Sequence, residues 1–204
     1  PLRVKIAEKL TKKHDVLIKP EQVIISHGSI GGITAICLTL LKEGDEVIVP
    51  DFTIISTVNA VLYTGATPVF IDADRETYNM DVNQLESKIT DRTKVIMPVH
   101  IYGHPVDMDP LMEIADSKEI TVLEDAAEVQ GALYKGKKCG SIGKINAFSF
   151  YANKLVTTGE GGMVVTNDDD LADRVRMLGN LAHSPKKRFL HEELGFNYRF
   201  TNIQ

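Results

Sequence analysis

SFYANKLVTTGEGG, from Ser149 to Gly162, decides how this chain is read, because it sets one lysine between an aromatic-apolar run and a glycine-rich turn. A lysine amine is a useful nucleophile only when desolvation or a neighbouring cation pulls its pKa down, or when it is already stored as an imine with an aldehyde. Most lysines are solvated surface charges instead. Lys154 follows Phe148 to Tyr151 and precedes the Gly159–Gly162 turn, a setting suited to imine chemistry. On either side, Ala147–Phe150 and Gly162–Thr166 read as strands.

Upstream, TVLEDAAEVQGALYKGKKCGSIG begins with a β-branched apolar run, Thr121 to Leu123, that ends in Glu124 and Asp125. This reads as a buried strand with acids at its C-terminal edge, where open α/β sheets bind ligands. A pyridoxal phosphate enzyme needs a carboxylate there to keep its ring nitrogen protonated, and Asp125 fits that role. The alternative is a helix cap or a surface acid. Further upstream, in ISHGSIGGITAICLTLL, the strand Val23–Ile25 breaks at Gly28 and a helix begins near Ile30. Its first N–H groups, those of Ser29 and Ile30, together with the Ser29 hydroxyl, can take a phosphate. The alternative is a plain turn and cap. The segment matches neither the P-loop nor the G-x-G-x-x-G pattern.

Strand and helix patterns alternate along the rest of the chain. Helical periodicity is read at Leu2–Lys13, with Leu2, Ile6 and Leu10 on one face, and at Ile30–Leu41, Ser56–Tyr63, Val82–Ile89 with Asp81 as cap, Asp109–Ser117 and Leu171–Leu178. Strands are read at Val23–Ser26, Glu46–Val49, Thr67–Ile71, Lys94–Val99 and Thr121–Leu123, besides the two already named. The expected fold class is therefore α/β, a mostly parallel sheet of about seven strands with helices on both faces.

With 204 residues, 43% hydrophobic and 25% charged, the chain can bury one sizeable core as a single domain. A net charge of −5, with only short basic runs such as Lys186 to Arg188, leaves no electrostatic footprint for nucleic acid. The two cysteines, Cys37 and Cys139, form neither a disulfide framework nor a metal-binding spacing and read as reduced thiols. No apolar run approaches the roughly 18 residues of a membrane span, and no signal peptide is legible. The expectation is a soluble cytoplasmic protein without metal, nucleic-acid or membrane partners.

Together these segments resemble the DegT/DnrJ/EryC1/StrS family of pyridoxal-phosphate aminotransferases of fold type I, which aminate nucleotide-linked keto sugars. The resemblance runs from about Gly44 to Gln204 through GDEVIVPDFT, NAVLYTGATPVFIDAD, MPVHIYGHPVDMD, EDAAEVQGA, FSFYANKLVTTGEGGMVVTND, RMLGN and GFNYRFTNIQ. It implies that Lys154 is the Schiff-base lysine, Asp125 the partner of the pyridine nitrogen, and Ser149 a phosphate ligand. Asn197 of GFNYR is then offered to the phosphate of a neighbouring subunit, so a homodimer with shared sites is implied. Many relatives carry glutamine at Glu128, bonded to the cofactor's 3-oxygen; a carboxylate there must be protonated, turned away or bridged by a donor. Many also carry an aromatic at Ile54 that stacks on the ring, which Ile54 can cover only by apolar contact.

EDAAE and SFYANK with TTGEGGMVV look most like the perosamine synthase branch, which acts on GDP-4-keto-6-deoxymannose with glutamate as the implied amino donor. The N-terminal stretch through Gly32 looks more like class I amino-acid aminotransferases. An amino-acid aminotransferase of the same fold and an inactive dimerisation domain therefore stay open as alternatives. His100 of MPVHIYG reads as a structural loop residue near the site rather than an acid-base group. Members of the family continue into a second, smaller domain, so residues 1–204 are expected to be the large cofactor-binding domain with the C-terminal one missing.

Overall fold

The computed structural model describes residues 2–14, 17–184, 186–187 and 189–203. The side chain of Leu10, together with Arg188 and Gln204, lies outside the described residues. All seven expected strands are present: β1 (Val23–Ser26), β2 (Glu46–Pro50), β3 (Thr67–Ile71), β4 (Thr93–Ile96), β5 (Thr121–Asp125), β8 (Ile145–Ser149) and β9 (Gly162–Thr166). They form one sheet in the order β1-β9-β8-β5-β4-β2-β3. β8, β5, β4, β2 and β3 run parallel, while β9 is antiparallel to both of its neighbours, β8 and β1.

Side chains alternate between the two faces of a strand, so a strand buried on both faces is apolar at every position. In β2, Val47 and Val49 join one core while Ile48 joins the other; in β5, Leu123 joins the first and Val122 the second. The first core is closed by α2 (Ser29–Leu40), α3 (Ile55–Leu62) and α6 (Asp169–Leu178), which contribute Ile33, Ile36, Val58, Val61, Val175 and Leu178. The second is closed by α4 (Leu85–Lys88) and α5 (Met108–Ser117) through Leu85, Met108 and Leu111. The remaining helix, α1 (Leu2–His14), lies beside β1.

Two details depart from the sequence reading. The stretch Val82–Ile89 is a 3₁₀ turn, Val82–Gln84, followed by the single turn of α4; Asp81 caps it as expected, accepting from Asn83 N–H at 3.1 Å. A small hairpin, β6 (Leu133–Tyr134) with β7 (Lys137–Lys138), was not legible because its two lysines carry no strand signal. Helix α2 is apolar almost all round. It is covered within this chain by the sheet, α3 and α6, and Gly31 to Cys37 are all buried.

Candidate active site

The parallel strands all end at one edge of the sheet, and β9, being antiparallel, begins there. Asp125 ends β5, Ser149 ends β8, and Gly162 opens β9 opposite both Ser149 and Ser26. A side chain at Gly162 would sit 2.5 Å from the Gly28 carbonyl carbon and 2.6 Å from Ser29 N, so glycine lets the β9 backbone press against the start of α2. Ser29 and Ser149 are thereby gathered around one glycine. Helix geometry leaves the first N–H groups of α2 without intrahelical partners.

Face parity places the acids. Asp125 shares the face of Leu123, under α3, and is 2% exposed. Its Oδ2 accepts from the Thr57 hydroxyl at 3.1 Å and its Oδ1 from Ala127 N–H at 3.2 Å. Burial pushes its pKa up, and the Ala127 N–H, the Thr57 hydroxyl and the Lys154 charge oppose that rise. A buried anion with so few donors needs a cation.

Glu124 takes the other face. His100 Nδ1 accepts from Val106 N–H at 3.0 Å, so the ring proton sits on Nε2, which lies 2.9 Å from Glu124 Oε2. The same carboxylate accepts from the N–H groups of Gly140, Ile142 and Gly143 at 2.7, 2.6 and 2.6 Å. Burial alone would raise its pKa, but His100 and these backbone donors outweigh burial and hold it below the usual range. His100 is fully buried and bonded at both ring nitrogens.

Lys154 stands on a loop that closes on itself: Phe150 N–H donates to Gly161 C=O at 2.7 Å, Thr158 N–H to Phe150 C=O at 3.0 Å, and Lys154 N–H to Tyr151 C=O at 3.0 Å. Its side chain is only 14% exposed, and its Nζ lies 2.9 Å from Glu128 Oε1. The other Glu128 oxygen accepts from Tyr102 N–H at 2.7 Å. Glu128 thus has a donor on each of its two oxygens. Beside Ser149, Gln130 donates to the Ser149 C=O at 2.7 Å while its buried Oε1 has no partner among the described residues.

Ile54 is the N-cap of α3, one helical turn before Thr57, and is 60% exposed. Asn197 is exposed, its Oδ1 accepting from Arg199 Nε at 3.1 Å; its neighbour Tyr198 stacks on His27 at 4.6 Å. Thr57, Gln130 and the Tyr102 backbone were not foreseen, since they hold the site residues through bonds that carry no sequence pattern. An open cleft of about 670 Å³ lies away from Lys154, among Leu2, Ile24, Gly32, Val175 and Tyr198. Among the described residues no cluster could hold a metal ion and no helix is long and apolar enough to cross a membrane.

A partly buried amine, a buried carboxylate with no salt bridge among the described residues, and hydroxyl and N–H donors at a helix start form a donor set that fits pyridoxal phosphate. The sheet order and this donor set define the class of fold-type-I pyridoxal-phosphate enzymes. The chain belongs to the DegT/DnrJ/EryC1/StrS aminotransferase family, which it matches over residues 14–204, well upstream of Gly44. Aminotransferases of this family depend on pyridoxal phosphate.

It is 53% identical over 177 residues to the GDP-perosamine synthase of Caulobacter vibrioides, covering 85% of this chain and 48% of that protein. Against the GDP-perosamine synthase of Escherichia coli O157:H7 it is 50% identical over 179 residues, 88% of this chain and 49% of the other. The crystal structure of a DegT/DnrJ/EryC1/StrS aminotransferase from Brucella abortus superposes with a TM-score of 0.89 at 31% identity, covering 100% of this chain and 56% of that one. The chain thus spans about half the length of the curated relatives it matches.

Proposed function

We propose that this chain is the cofactor-binding large domain of a pyridoxal-phosphate aminotransferase that moves an amino group from glutamate to a nucleotide-linked 4-keto-6-deoxy sugar, GDP-4-keto-6-deoxymannose giving GDP-perosamine. The observation that carries the reading is the pairing of Lys154, only 14% exposed, with an acidic neighbourhood at the sheet edge, in a chain 53% identical to a GDP-perosamine synthase. A smaller domain, outside this sequence, completes the site.

When bound, the cofactor supplies an aldehyde carbon for the lysine and a cationic ring that takes up the electron pair left on carbon. Lys154 Nζ is the group that would hold the cofactor and, when free, would carry a proton to and from the substrate carbon. Asp125, buried at the strand end, would keep the ring nitrogen protonated. Ser29, Ile30 and Ser149 would hold the phosphate, and Ile54 and Glu128 would be the residues offered to the ring and its 3-oxygen. Asn197 reaches the phosphate of a second subunit, making the working unit a homodimer of shared sites.

The test is an assay of the complete protein, at a subunit number fixed by light scattering, with glutamate and GDP- or dTDP-linked 4-keto-6-deoxy sugars. Formation of 2-oxoglutarate together with the GDP-linked 4-amino sugar is the expected result. Turnover of amino-acid substrates alone, or of none of these, would contradict the reading.

A further inference from the structure

Asn79 lies in the turn after β3 and is 3% exposed, yet its amide is fully engaged. Its Oδ1 accepts from Ile101 N–H at 3.0 Å. Its Nδ2 lies 3.0 Å from His104 Nδ1 and donates to the carbonyls of His104 and Pro105 at 3.0 and 3.1 Å. Every one of these bonds lands on the single turn 101–105. Val106, just beyond it, is tied by its N–H to His100 Nδ1 at 3.0 Å.

Inside this clamp Tyr102 is held at φ 50, ψ 28, in the left-handed region that a bulky residue disfavours. The residue is 78% exposed, so burial of the ring does not explain the conformation. What the conformation delivers is the Tyr102 N–H, aimed at Glu128 Oε2 at 2.7 Å, while Glu128 Oε1 holds Lys154 Nζ at 2.9 Å. A strained turn at a site is a reason to look for the group it aims.

We propose that Asn79 is a positioning residue for Lys154, acting through the turn 101–105 and Glu128. The relay rests on geometry alone; it deepens the reading of Lys154 as the cofactor's lysine without depending on it.

The experiment is a coupling cycle read on Lys154 itself. The cofactor-free protein is labelled briefly with acetic anhydride, and acetylation of Lys154 relative to exposed lysines is measured by peptide mass spectrometry. Asn79→Ala and Glu128→Ala should each speed labelling of Lys154, roughly threefold or more, and the double variant should label no faster than Glu128→Ala alone. Met80→Ala, which opens the neighbouring core without touching the relay, should leave it unchanged.

If Asn79→Ala does not fold, the exposed turn is used instead. Tyr102→Gly keeps the N–H and tolerates the left-handed backbone, so labelling stays at the wild-type rate; Tyr102→Pro removes the N–H and raises it as Glu128→Ala does. Additive effects in the double variant, or equal effects of the glycine and proline variants, overturn the relay. A coupled cycle in a protein whose Lys154 takes up no pyridoxal phosphate would leave the relay standing and remove the proposed function.

Discussion

Glu124 and Asp125 leave the same strand on opposite faces and meet opposite environments. Asp125 sits with Leu123 under α3, where burial raises its pKa against only two direct donors. Because its folded pKa lies above the unfolded one, its contribution to stability is fully present below the ordinary aspartate range and is lost as pH rises through the raised value. Asp125→Asn should therefore leave the cofactor-free protein at least as heat-stable as wild type near neutral pH, with the gap closing towards acid pH in thermal melts. Turnover should nevertheless fall by about two orders of magnitude or more, since an amide does not hold a ring nitrogen protonated. Asp125 and Lys154 were legible because strand-end acids and a lysine before a glycine turn are local patterns. Thr57, which holds Asp125 from a helix 68 positions away in sequence, had no such signal.

At the scale of elements, Glu124 turns a strand end into an anchor for the loop at Gly140–Gly143. Its two oxygens accept three backbone N–H groups, and His100 faces it from the strand-end turn after β4. Glutamine in its place has one acceptor oxygen and turns an N–H₂ towards donors. Glu124→Gln is expected to cost about 3–5 kcal/mol in chemical denaturation at neutral pH, the range for breaking a buried charged network. Here the folded pKa is depressed, so the stabilisation is present above the usual glutamate range and is lost as pH falls through the folded value; the cost of the substitution should shrink over that same window. The strands and long helices were readable because their apolar periodicity is set by which face each residue buries. The 3₁₀ start of Val82–Gln84 and the hairpin at Leu133–Lys138 were misread or missed, because one turn and two-residue strands are too short for a period to declare itself.

Across the whole molecule, one topological fact assembles the site: five parallel strands deliver their ends to one edge, and β9 re-enters there through glycines that let backbones touch. Sequence order alone suggested the α/β class, but the antiparallel insertion of β9 between β1 and β8, which brings Gly162 against Ser29, depends on contacts distant in sequence. The edge also carries exposed apolar side chains, among them Ile54, Tyr102 and Leu155. The claim on which the account turns is that Lys154, and no other lysine, carries pyridoxal phosphate. Borohydride reduction of the loaded protein followed by peptide mapping measures it directly. The account predicts a phosphopyridoxyl group on the peptide containing Lys154, abolished in Lys154→Ala; a label on another lysine, with Lys154 unmodified, would contradict it.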